Sequence, residues 1–230
     1  MNKQLVVVGT DTSCGKTVIT GLIAHYFNQQ DGLSVSTQKW VQTGSVQDND
    51  LAQHDYYAPS LTPFPSNIRC PYSFPDPVSP HWAATLANKT ISLDRIKTTC
   101  YAMAKQVDLL ICETSGGIMV PYTESENQLD LLIQLNIPIV VVAANRLGTL
   151  NHTFLTVKTL LENKLMVCGV ILSQPDPLVN DALIENNEVT LQNWLTVPVL
   201  GTVPHSSSLS SLRELFNDIG LKLVPYLERQ

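Results

Sequence analysis

Along this chain, short apolar runs alternate with longer stretches whose hydrophobic positions recur at helical spacing. The run at 5–8 (Leu5-Val6-Val7-Val8) is unbroken and reads as a buried strand, and the amphipathic stretch from Val18 to Phe27 predicts a helix over about 16–29, which Asp31-Gly32 ends. A short Val-containing run at 34–38 reads as a second strand, and 39–44 reads as a loop at its C-terminal end. Asp48-Asn49-Asp50 opens a short helical stretch. Residues 58–80 carry seven prolines, yet Tyr72 and Phe74 sit among them, so this segment reads as an ordered insertion or surface loop rather than a linker. Ser79-Pro80 places an N-cap before a proline, the arrangement expected at the start of a helix, here to about 88.

Helical periodicity returns over about 93–106, and a strand follows at 107–112, ending in Glu113. Residues 128–135 read as a helix and 139–143 as the most apolar strand. Another helix extends to about 163, then come a strand at 166–172, a helix at 181–194, a short strand at 199–202 and a last helix at 208–218. Strand and helix alternate without an internal repeat, which predicts an α/β fold: a doubly wound, mainly parallel sheet with right-handed crossovers, of the P-loop NTPase type. The 230 residues suffice for a single domain spanning 1–230 and are few for two.

The chemistry enters at the first strand-to-helix junction, Gly9-Thr10-Asp11-Thr12-Ser13-Cys14-Gly15-Lys16-Thr17. A loop there points backbone N–H groups and the positive end of a helix at an anion. Lys16 can reach a β- or γ-phosphate, and the Thr17 hydroxyl can ligate Mg²⁺. Where the usual phosphate-loop pattern expects a glycine this chain has Thr10, with Gly9 one residue earlier. Ligands of open parallel sheets bind at the C-terminal strand ends, so Lys39 and Thr43 fall on the same rim as this loop. Glu113, closing an apolar strand, stands where a P-loop protein carries a metal-facing acid.

Composition narrows the function. A net charge of −6, with no basic run, disfavours binding to a nucleic-acid backbone. No apolar stretch is long enough to span a membrane, and no leader precedes the first strand. Five cysteines at no metal-like spacing read as reduced thiols, so the expected location is cytoplasmic. His81 and His152 read as packed, hydrogen-bonded histidines.

Several separated motifs resemble one family, dethiobiotin synthetase: GTDTSCGKT (9–17), KWVQTG (39–44), CPYSFPDPVSPH (70–81), ETSGGIMVP (113–121), NRLGTLNH (145–152) and VPVLGTVP (197–204). The resemblance implies an ATP-dependent cyclo-ligase of biotin biosynthesis, which carboxylates 7,8-diaminopelargonate with CO2 through a carbamate and a carbamic–phosphoric anhydride. It implies that Thr12, Ser13, Cys14, Gly15, Lys16, Thr17 and Val18 wrap the phosphates, that Ser173, Gln174 and Pro204 lie at the nucleotide base, and that Thr17, Asp50 and Glu113 hold Mg²⁺. Among the neighbouring acids, Asp48 and Asp55 are alternatives to Asp50. Lys39 and Lys16 match the catalytic lysines. Thr12, Lys39, Thr43, Gly116 and Gly117 would contact the diamine, and Gly148 and Asn151 would serve the site of the other subunit in a homodimer.

The chain departs from the family pattern in three places. Trp40 replaces a common proline, Glu113-Thr114-Ser115-Gly116-Gly117 lacks one glycine of EGxGG, and Ser173-Gln174 replaces the Asn-Asp pair in which the asparagine reads adenine. The last departure predicts looser base selectivity. Two rival readings are a partitioning-type switch ATPase, whose second loop lysine and basic surface this chain lacks, and a nucleotide-binding relative that has lost catalysis. Cys14, beside the helix start and Lys16, is expected to favour its thiolate or else to act as a small filler with its sulfur turned inward.

Overall fold

A computed structural model describes residues 3–30, 32–44, 49–174, 180–206 and 208–228. Asp31 and Asp48, which enter the sequence argument, lie outside them. The main sheet is parallel throughout, in the order β2-β5-β1-β6-β7-β8. Its strands are β1 (Lys3–Gly9), β2 (Val35–Lys39), β5 (Leu109–Gly117), β6 (Ile139–Ala144), β7 (Val167–Ser173) and β8 (Val199–Val203). Around it lie α1 (Lys16–Asn28), α2 (Asp50–Tyr57), α3 (Ser66–Arg69), α4 (Pro80–Leu86), α5 (Leu93–Ala104), α6 (Gln128–Leu135), α7 (Thr149–Glu162), α8 (Asp181–Trp194) and α9 (Leu209–Leu227). The remaining strands, β3 (Val41–Thr43) and β4 (Tyr72–Phe74), pair in parallel as a second small sheet.

Apolar strands are needed on both sides of this sheet because both faces are covered. Successive residues of a strand point to opposite faces. Leu5 and Val7 accordingly join a core with α1 and α9, through Ile19, Leu22, Ile23, Phe216 and Leu223. Val6 and Val8 join the other core, with Ile96 and Met103 of α5, Leu132 of α6 and Leu160 of α7. β1 lies at the centre, with β5 and β2 on one side and β6, β7 and β8 on the other. The strand order reverses there, and the crevice at such a switch point is where open sheets bind ligands.

The structure corrects the sequence reading in four places. Residues 39–44 are not simply a loop: Val41–Thr43 form β3, paired with β4 inside the proline-rich segment. That pairing hides Trp40 and Val41 completely. Trp40 packs in the core, and its backbone N–H donates to Glu113 O at 3.1 Å, a bond a proline could not make. Glu113 lies within β5, opposite both Val7 and Lys39, rather than closing the strand. Ser79 precedes α4, but its side chain caps nothing. The last helix continues well past 218, through Gly220 and Pro225, because Ile219, Leu223 and Leu227 are buried along it.

Candidate functional site

The loop between β1 and α1 is built for close backbone approach. Ser13 and Gly15 adopt left-handed conformations (φ 55° and 94°). Successive backbone N–H groups turned this way make an anion-binding concavity. Gly15 caps α1 with no side-chain bond, so the first-turn N–H groups of the helix keep no side-chain acceptor. Gly9 is required one position before the usual glycine, because a Cβ there would stand 2.7 Å from both Cys14 Sγ and Lys16 Nζ. Lys16 is nearly buried and donates to Asp11 O at 2.9 Å. Cys14 is fully buried and packs in the core as a small filler, with its sulfur 3.8 Å from Lys16 Nζ.

Opposite the loop lies a buried polar cluster supplied by β2, α1, α2 and β5. Lys39 Nζ donates to Asp50 Oδ2 at 2.6 Å, Glu113 Oε1 at 2.7 Å and Thr114 O at 3.0 Å. Thr17 Oγ1 lies 2.9 Å from Asp50 Oδ1 and 3.1 Å from Glu113 Oε1. His54 Nε2 lies 2.6 Å from Glu113 Oε2. Burial pushes the Glu113 carboxyl up, but Lys39 and His54 outweigh it and hold the group down at about 2. Burial likewise pushes the Lys39 ammonium down, and Glu113 and Asp50 more than reverse this, raising it above its ordinary value.

Three oxygens therefore converge from Thr17, Asp50 and Glu113, and the Thr17 hydroxyl has one hydrogen to share between two carboxylates. Such a set of hard oxygen donors, two of them acidic, fits Mg²⁺, which takes one or two carboxylates plus substrate phosphate oxygens. Asp55 does not join them. It pairs with the nearly buried Arg69, whose guanidinium donates to both its oxygens at 2.9 and 3.0 Å and also to Thr37 O and Oγ1.

A cavity of about 650 Å³ opens between the loop and this cluster, lined by Thr12, Ser13, Gly15, Lys16, Thr17 and Val18 on one side and by Lys39, Thr43, Asp50, Glu113 and Gly116 on the other. Gly116 takes a left-handed conformation (φ 61°), and a Cβ there would stand 3.0 Å from Val120 Cγ2. A Cβ at Gly117 would stand 3.4 Å from Thr10 O, an ordinary contact. Pro77, Val78, Ser79 and Pro80 form a wall that sequence reasoning did not assign to the site. It also missed His54, whose only signal was its place one helical turn after Asp50.

The other expected residues lie elsewhere. Ser173 sits nearly buried behind the loop, its Oγ only 2.2 Å from where a Gly15 Cβ would stand. Gln174 donates its backbone N–H to Val203 O, which ties the end of β7 to β8 next to Pro204. Gly148 and Asn151 are exposed at the N-terminal end of α7 and do not line the cavity.

Comparison with known proteins agrees with this picture. The family model described as an AAA domain matches residues 3–213. The chain is 38% identical over 174 residues to ATP-dependent dethiobiotin synthetase BioD 2 of Pasteurella multocida, covering 74% of this chain and 81% of that one. It is 36% identical to the BioD of Bacillus cereus (86% and 81% covered) and 33% identical to that of Lysinibacillus sphaericus (90% and 89% covered). Among solved structures, the cell division ATPase MinD of Pyrococcus furiosus superposes with a TM-score of 0.59 at 14% identity, over 98% of this chain and 100% of that one. A ParA family ATPase of Chlorobium tepidum gives 0.54, also at 14%, over 97% and 92%. At such identity these two share the fold alone.

Proposed function

The chain belongs to the ATP-dependent dethiobiotin synthetase family, and on that premise we propose that it is the cyclo-ligase that makes dethiobiotin from 7,8-diaminopelargonate, CO2 and ATP, as a single catalytic domain. One observation carries the reading: Lys16 of the phosphate loop and Lys39 of β2 line one cavity together with Thr17, Asp50 and Glu113. A switch ATPase needs the first of these groups; a reaction that joins a second substrate to the γ-phosphate needs both.

In this reading the loop N–H groups from Thr12 to Val18 and the Lys16 ammonium cradle the phosphates, with Ser173, Gln174 and Pro204 on the side of the base. One amine of the diamine, against Thr12, Thr43, Gly116 and Gly117, adds to CO2 and loses a proton, leaving a carbamate. A carbamate oxygen attacks the γ-phosphorus and ADP departs. The second amine then attacks the carbonyl carbon of the mixed anhydride and gives up a proton as phosphate departs, and the ring is closed. Lys39 stabilises the charge that builds up on the carbamate and the transferring phosphoryl group, exchanging one of its three protein acceptors for a substrate oxygen. Thr17, Asp50 and Glu113 would hold Mg²⁺, which supplies charge neutralisation at the phosphate oxygens.

The exposed N-terminus of α7 supports a homodimer in which Gly148 and Asn151 reach the partner's cavity. Leu147 and Leu155 are 86% and 57% exposed beside it, apolar surface that a second copy would cover. The deciding experiment is diaminopelargonate-dependent phosphate release. Release that needs the diamine and bicarbonate supports the ligase, and release indifferent to both overturns it.

A further inference from the structure

His54 has no place in the chemistry above, yet it is fully buried and makes the shortest contact of Glu113, 2.6 Å from Nε2 to Oε2. The carboxylate is thus divided. Oε1 faces Thr17 and Lys39, while Oε2 is taken by the imidazole. Since an ionised carboxylate accepts and does not donate, the ring donates through Nε2, and among the described residues its Nδ1 meets no hydrogen-bond partner.

We propose that His54 is a positioning residue that holds Glu113 as a one-oxygen ligand and thereby makes the site select Mg²⁺ over Ca²⁺. The inference rests on the Mg²⁺ site proposed above. Mg²⁺ demands a tight octahedron to which each carboxylate gives one oxygen, whereas Ca²⁺ takes six to eight oxygens at longer range and accepts both oxygens of one carboxylate. A Glu113 freed from His54 could turn both oxygens to the ion; held by His54, it offers only Oε1.

The clamp is rigid because of where it is mounted. Asp50 begins α2 and His54 lies one turn later, on the same face. Asn49 caps the helix by accepting from Leu51 N, and Arg69 grips Asp55 from α3. One helix therefore sets both a ligand, Asp50, and the hand that aims the other ligand, Glu113. A merely space-filling histidine would affect stability and leave the choice of ion unchanged.

The test measures, by calorimetry, the affinity of the protein for a non-hydrolysable ATP analogue preloaded with Mg²⁺ or with Ca²⁺. In His54→Leu the Mg²⁺/Ca²⁺ affinity ratio falls about tenfold or more, the scale on which partners of metal ligands act, and in His54→Gln, which keeps an N–H donor, it returns toward the parent value. An unchanged ratio in His54→Leu, or a loss in His54→Gln as large as in His54→Leu, overturns the proposal. Thermal melting shows whether each variant folds. Should His54→Leu not fold, His54→Ala with and without free imidazole gives the same comparison, the ratio low without imidazole and restored with it. Glu113→Gln separates this from the underlying reading. If that variant binds both loaded nucleotides like the parent, the metal site itself is wrong; if it weakens Mg²⁺ loading while His54→Leu keeps the ratio, only the role of His54 is wrong.

Discussion

At the scale of single residues, the site is a charge problem solved by contact. Glu113 is fully buried, and its charge is tolerable only because Lys39 and His54 touch it. Its folded value, about 2 against an ordinary 4.5, means that it contributes stability above pH 4.5 and loses that contribution as pH falls toward 2. The raised Lys39 works in the opposite sense: its contribution is complete below its ordinary 10.5 and is lost only as pH rises beyond that. We therefore expect the melting temperature of the metal-free protein to fall between pH 4.5 and 2 more steeply than that of Glu113→Gln, as followed by circular dichroism. Parallel curves for the two proteins would remove the assigned ion pair. Lys39→Ala should act twice. Losing the donor should raise the barrier by about 3 kcal/mol, as for other preorganised donors aimed at developing charge. Leaving Glu113 and Asp50 without their cation should also destabilise the fold by about 3–5 kcal/mol. Added Mg²⁺ should recover part of the stability and little of the rate, because the ion can neutralise the acids without replacing the ammonium at the carbamate. Single-turnover rates and melting curves with and without Mg²⁺ check both, and a variant with parental turnover would end the catalytic role of Lys39.

At the scale of elements, what the sequence revealed and what it hid follow from locality. The apolar runs and helical periods located the strands and helices of the main sheet because each is dictated within its own stretch. β3 escaped because the partner that makes it a strand, β4, lies far along the chain among prolines. The full length of α9 escaped because Gly220 reads as a breaker, whereas in the fold it is the point where α9 meets α1: a Cβ there would lie 2.4 Å from the Tyr26 ring. Gly21 plays the same part between α1 and α2, where a Cβ would lie 2.4 Å from Tyr57 Cβ, the base of that side chain rather than a tip that can swing away. Gly21→Ala thus sets two effects against each other. Alanine favours the helix by about 1 kcal/mol. Overpacking a filled interface costs about 1–3 kcal/mol, and here the clash is with a rigid atom, so the net effect should be destabilising. The displaced α2 carries Asp50 and His54, so the Mg²⁺ requirement should rise as well. Urea unfolding together with a Mg²⁺ titration checks this, and a more stable Gly21→Ala would mean that the helices are free to separate.

At the scale of the whole molecule, the site was legible in proportion to how far its parts carry motifs. The phosphate loop and Lys39 stand at the C-terminal ends of β1 and β2, whose order along the chain already places them on one rim, and Glu113 joins them from within β5, opposite Lys39. His54, Arg69 and the Pro77–Pro80 wall took their places only once β3 and α2 were folded over that rim: His54 is marked only by its spacing from Asp50, and the 70–81 motif does not tell which of its residues face the cavity. Gly148 and Asn151 remain a separate case, since they sit on α7 outside the cavity of their own chain. If they act in the partner's cavity, two differently inactivated chains must repair each other. In a two-fold dimer each site takes Lys39 from one chain and Asn151 from the other. A mixed dimer of Lys39→Ala with Asn151→Asp, whose added negative charge repels an anionic ligand at the α7 N-terminus, holds one site carrying both lesions and one carrying neither. Random pairing of equal amounts makes half of the dimers mixed, each with one intact site of two, so about a quarter of parental activity should return. The measurement is diamine-dependent phosphate release after the two inactive proteins are mixed and allowed to exchange subunits, with each alone as control. Activity no greater than the average of the controls, under conditions where exchange is verified by differently tagged chains, would place the complete site within one chain and return Gly148 and Asn151 to a structural role at the start of α7.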